Sequence, residues 1–133
     1  MNWKLIFQLS IFGLIMAFGT VSLIPQNVEP AFWLVIFVFS AWVIARACPN
    51  KYFLHGFVTG LVNCVWITAV HFLFFQKYTA GHPQMDTLVN DMPASFSTHP
   101  RIAMALAGLA LGILSAIIAG IFALVGSKIV SKG

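Results

Sequence analysis

Residues 102–125 read IAMALAGLALGILSAIIAGIFALV, twenty-four positions without a single charge. A helix needs roughly 20 consecutive apolar residues to cross about 30 Å of hydrocarbon, so this stretch reads as a membrane span. Three more runs have the same character: Leu5–Ile24, Ala31–Cys48 and Leu54–Phe75. Arg46, near the end of the second, can snorkel to the interface. All six prolines (Pro25, Pro30, Pro49, Pro83, Pro93, Pro100) lie outside the runs. Proline breaks backbone hydrogen bonding that lipid cannot repair, so its exclusion supports the span boundaries. The expected fold is an all-α integral membrane domain over residues 1–133, an antiparallel bundle of four transmembrane helices.

Composition agrees. Hydrophobic residues make up 60% of the chain and charged residues 8%, with a mean hydropathy of +0.95, whereas a soluble domain carries about 25% charged residues. The net charge of +4 comes from bases beside the spans, so it reads as a topology signal and not as a nucleic-acid surface. Ala17-Phe18-Gly19 loosely matches a signal-peptide cleavage pattern. The first run continues apolar to Ile24 behind a weakly basic start, so it is expected to remain a span. Cys48 and Cys64 fall at different depths, which argues against a disulfide.

The charges are sorted. The two tails and the second gap hold Lys4, Arg46, Lys51, Lys128 and Lys132. The first and third gaps hold all three acids, Glu29, Asp86 and Asp91, with only Lys77 and Arg101. By the positive-inside rule both termini are expected in the cytoplasm of a bacterial inner membrane, the bacterial origin being inferred from the compact, simple architecture. Trp3 and Tyr52 then belong to the inner interface, Trp33 and Tyr78 to the outer one, while Trp66 falls near mid-membrane.

The first two connections are tight. The third, Gln76–Arg101, is long, and long loops are usually functional or partly structured. Within it Met85, Leu88, Val89 and Met92 share one helical face, Pro83 suits a first helical position, and Pro93 ends the run. A short amphipathic helix is expected at about 83–92.

Two spans carry further signals. In the fourth, Gly108, Gly112, Ala116 and Gly120 recur every four residues, a spacing that lets helix backbones approach closely in lipid. The partner is a helix of this chain, another subunit of a homo-oligomer, or a larger membrane complex. In the third, His55, Thr59, Asn63 and His71 wind along one broad polar side, with Cys64 and Thr68 off that line. Polar residues at such depth face protein or a cavity. Asn63 is expected to bond across helices to Gln8, Ser10 or Ser40.

His71, His82, His99, Asp86 and Asp91 all fall on the outer side, where they could bind a divalent metal or sense pH, although their spacing matches no compact motif. Haem held by two histidines needs facing helices; only the third span contains histidine, so such a site requires a homodimer. No Asp, Glu or Lys lies deep in any span, where proton-coupled transporters usually place a carboxylate. No phosphate-binding glycine loop, HExxH or GxSxG is present. The leading expectation is therefore a non-enzymatic, self-associating or accessory membrane subunit. A small oligomeric transporter or channel using the polar side of the third span is the alternative, followed by a metal- or haem-binding membrane protein. No cofactor is assigned.

Overall fold

The computed structural model describes residues 1–130, without the side chains at positions 85, 86, 88, 89, 96 and 97. Every described element is a helix: α1 Trp3–Ser22, α2 Glu29–Ala47, α3 Tyr52–Leu73, α4 Phe75–Gly81, α5 Pro83–Asn90, α6 Ala94–Ser97 and α7 Pro100–Ile129. Four of them, α1, α2, α3 and α7, are long and apolar enough to cross a membrane. Only helices or closed barrels satisfy every backbone group in lipid, and these segments satisfy theirs internally.

The boundaries have local causes. Asn2 caps α1, its Oδ1 accepting the Leu5 N–H at 3.1 Å. Proline stands in the first turn of both α2 and α7, where its missing N–H is harmless. Lys51, with φ 55°, turns the chain between α2 and α3, and its carbonyl then accepts the His55 N–H that begins α3.

Two expectations need correction. The third span does not run on to Phe75. It ends at Leu73, and after Phe74 the chain turns into α4. The third connection is not an open loop around one helix; α4, α5 and α6 occupy most of it. The helix expected at 83–92 is α5, Pro83–Asn90. The side chains of Met85, Leu88 and Val89, which would form its apolar face, lie outside the described residues, as do Asp86 in the outer set and the tail residue Lys132.

Packing follows the order α1, α3, α7, α2. Helix α3 packs most extensively on α7 and next on α1, and α7 in turn packs on α2, while α2 touches α1 and α3 only sparsely. Near the tails all four spans meet: Leu9, Ile44, Cys48 and Ala123 form one buried cluster, edged by Leu5, Phe12, Val43 and Tyr52. Near α4 the buried apolar cluster is Ala17, Val21 and Val70, which joins α1 to α3 alone. The buried residues of α2 are Ser40, Ala41, Ile44 and Ala45, all in its second half. Its first half therefore stands away from the bundle, and a cleft opens there.

Candidate functional site

Helix α3 has two working sides. One faces α7 and is built from small residues. A Cβ on Gly60 would fall 2.5 Å from the Ala116 Cα, and one on Gly56 would fall 2.5 Å from the Ala119 carbonyl oxygen. A Cβ on Gly112 would collide with the Cys64 Sγ, and one on Gly120 would meet the Phe53 ring at 2.7 Å. Gly108 is looser, 3.5 Å from the Thr68 Oγ1. Numbers rise along α3 as they fall along α7. The small stripe Gly108, Gly112, Ala116, Gly120 thus packs within the chain, against residues that include Cys64 and Thr68.

The other side of α3 carries the polar residues, and hydrogen bonds tie it to α1. His55 is buried. Its Nε2 accepts the Asn2 backbone N–H at 2.9 Å, and its Nδ1–H donates to the Lys51 carbonyl at 2.9 Å. That pair of bonds assigns the Nδ1-protonated tautomer. Thr59 is also buried and donates to the His55 carbonyl at 2.7 Å. Further along, the Trp66 indole N–H donates to the Ser10 Oγ at 3.4 Å, and Ser10 donates to the Phe7 carbonyl at 2.8 Å. Thr20 donates to the Met16 carbonyl at 2.8 Å, so its Oγ1 accepts from the His71 Nε2–H, also at 2.8 Å. Trp66 and His71, awkward in an apolar helix, are each satisfied by a hydroxyl of α1.

Asn63 is the exception. It is 5% exposed, and its Oδ1 is buried without a hydrogen-bond partner. The expected bond to Ser10 is not made; Trp66 takes that hydroxyl. Instead the Asn63 carboxamide lies against Gly13, where a Cβ would fall 2.5 Å from the Asn63 Cγ. Only a residue without a side chain fits opposite it. Gly13 and Thr20 were not read as site residues from sequence. Their signal was present in Ser10, Gly13, Ala17 and Thr20, small residues three or four apart in a span otherwise rich in large ones.

The outer histidines divide. His71 stacks on the Tyr78 ring, centroids 3.9 Å apart, and Tyr78 stacks on His82 at 4.2 Å. The phenol therefore lies between the two imidazoles and keeps them from converging on one ion. His82 donates Nδ1–H to the Tyr78 carbonyl at 2.9 Å, leaving a buried Nε2 without a partner. His99 and Asp91 are exposed, and Asp86 is outside the described side chains. Among the described residues no group of three or more His, Cys, Asp or Glu is placed to hold a metal. Tyr78 is itself buried. Burial first, and the Glu29 carboxylate second, push its phenol up to about 12.

Comparison of the chain with protein-family models, with curated proteins and with solved structures finds no match.

The cleft left by α2 has a volume of about 320 Å³. Glu29, Trp33 and Phe37 line it from α2, Gly60, Asn63, Ile67 and His71 from α3, and Met104, Leu111 and Ser115 from α7, with Tyr78 among its walls. The Trp33 indole N–H donates to the Glu29 Oε1 at 3.3 Å, one helical turn back along α2. Sequence had marked Glu29 and Trp33 only as topology signals, because the standing-away of α2 cannot be read from its apolar run.

Proposed function

We propose that the chain is a bacterial inner-membrane protein, an antiparallel four-span bundle with both termini in the cytoplasm. In this reading it works by association, as a self-associating protein or an accessory subunit of a larger membrane complex, and performs no catalysis of its own. One observation carries the reading, the division of α7 between its two sides. Its small residues face α3, while Leu106, Leu109, Leu114, Ile117, Ile121 and Leu124 point outward and are exposed. Its uncharged stretch, residues 102–125, would extend about 36 Å, longer than the roughly 30 Å of hydrocarbon it crosses. A helix of that length tilts or carries apolar surface beyond the bilayer core, and a second protein surface would cover it. Gentle purification followed by native mass measurement tests this. Assemblies heavier than one 14.6 kDa chain, or co-purifying proteins in fixed ratio, support it. A lone chain in every mild detergent contradicts it.

The cleft favours a second reading, a small transporter or channel. The polar side His55, Thr59, Asn63 and His71 is largely tied to α1, so a path would follow the cleft. Flux in proteoliposomes that is lost in Asn63→Leu supports this reading; flux equal to that of empty liposomes across a broad substrate panel removes it. The metal or haem reading gains nothing from the His71–Tyr78–His82 stack, and an absorption spectrum with metal analysis decides it.

A further inference from the structure

We propose that the cleft between α2, α3 and α7 binds an ammonium-bearing amphiphile, with the Glu29 carboxylate as its counter-charge and the Trp33 and Phe37 rings beside it.

Size comes first. The volume of about 320 Å³ lies at the small end of the range for ligand pockets, about 300–1,000 Å³. Along α3 the lining runs from Gly60 to His71, eleven steps of 1.5 Å, or about 16 Å. A slender molecule fits such a shape, one chain or one narrow ring system. Between its ends the lining is mostly apolar, with Phe37, Ile67, Met104 and Leu111, while Asn63, Cys64, Thr68 and Ser115 add polar atoms.

Charge selects the head group. Glu29 is the carboxylate of the lining, and neither Lys nor Arg lines the cleft. Its first-turn position on α2 suits the helix dipole, which favours a carboxylate there. Its Oε1 accepts one neutral N–H, from Trp33. Trp33 and Phe37 lie 5.8 Å apart, centroid to centroid, and aromatic faces beside a carboxylate attract a cation. The negative field of the Glu29 carboxylate also raises the Tyr78 phenol, second to burial, and both residues belong to the lining. An anionic amphiphile of the same shape would meet that field as repulsion, and a neutral one would gain only burial.

The head group can belong to a free amine or to an amine-bearing lipid, and the test separates them. Purified protein in a non-ionic detergent is titrated calorimetrically with octylammonium, octanol and octanoate. The same titrations on Glu29→Gln subtract partition into micelles. Saturable octylammonium binding, weakened at least tenfold by Glu29→Gln and abolished by the cleft-filling Ser115→Phe, is the expected result, provided both variants keep the wild-type helical signal. Equal binding of octylammonium to wild type and Glu29→Gln, or octanoate binding as tightly, overturns the proposal. If Glu29→Gln fails to fold, the ranking of the three probes on wild type and on Ser115→Phe decides alone. Native mass spectrometry then assigns the source. Phosphatidylethanolamine retained over phosphatidylglycerol places the ammonium on a lipid, and octylammonium binding without that retention places it on a free amine; both support the site.

Discussion

Alanine in place of glycine at two positions on either side of the α3–α7 seam should give opposite results. At Gly60 the new Cβ would lie 2.5 Å from the Ala116 Cα and 2.9 Å from its Cβ. Carbon atoms attract best at about 3.5–4.0 Å, so the two helices must part by about 1 Å, and a gap of that size forfeits a quarter to a half of each contact. The opposing atoms are largely backbone and cannot rotate away. Overpacking of this kind costs about 1–3 kcal/mol, and the upper part of that range applies here. The gain from replacing a helical glycine, about 1 kcal/mol, leaves a net loss of about 2 kcal/mol. At Gly108 the Cβ would lie 3.5 Å from the Thr68 Oγ1, an ordinary contact. There the propensity gain stands alone, and the variant should be neutral or stabilised by up to about 1 kcal/mol. Unfolding in mixed micelles of rising dodecyl sulfate content, followed by far-ultraviolet circular dichroism, measures both. The reasoning is refuted if Gly108→Ala loses as much stability as Gly60→Ala, or if Gly60→Ala loses none.

Asn63 and Gly13 should behave as a coupled pair. Gly13→Ala alone is destabilising, because its Cβ meets the Asn63 carboxamide, while Asn63→Ala removes a buried oxygen without a partner and should lose less than about 1 kcal/mol. Asn63→Ala keeps a Cβ 2.8 Å from the new one, so the double variant should recover only part of the Gly13→Ala loss, a coupling of about 1 kcal/mol in the same unfolding assay; simple additivity would contradict the contact. Tyr78 supplies a spectroscopic prediction. Its phenol, pushed up to about 12 from an ordinary value near 10, should ionise late in an absorbance titration at 295 nm. The folded state holds that proton more tightly than the unfolded chain, so its contribution to stability is constant below about pH 10 and is lost between about pH 10 and 12. Glu29→Gln should lower the titration midpoint only in part, since burial is the larger cause, and an unchanged midpoint would deny the Glu29 field.

The four spans were legible because lipid imposes one strong rule on backbone polarity, and the prolines marked its limits. The small stripe of α7 was legible for a related reason: glycine at four-residue spacing in an apolar helix has few uses besides close approach. Its counterpart on α1, Ser10, Gly13, Ala17 and Thr20, was less visible, because it carries one glycine at mixed spacing and its role depends on which helix brings Asn63 to it. The polar residues of α3 could be picked out by type, but not their partners. Ser10 is shared by no rule of sequence, and Trp66 holds it in place of Asn63. The Tyr78 stack and the cleft were not legible at all. Both arise from where α4 turns back and where α2 stands away from the bundle, and neither event leaves a period in the sequence. Short α4 and α6 carry too few residues to show one.

The central claim is a four-pass membrane bundle whose basic tails and turn share one side. Topology reporters at both termini and within residues 83–92 test it most directly, in intact cells of a bacterial host. The account predicts that both terminal reporters are active only in the cytoplasm and that the 83–92 insertion is reached only from outside. Termini on opposite sides of the membrane, or an insertion at 83–92 accessible from the cytoplasm, would contradict it.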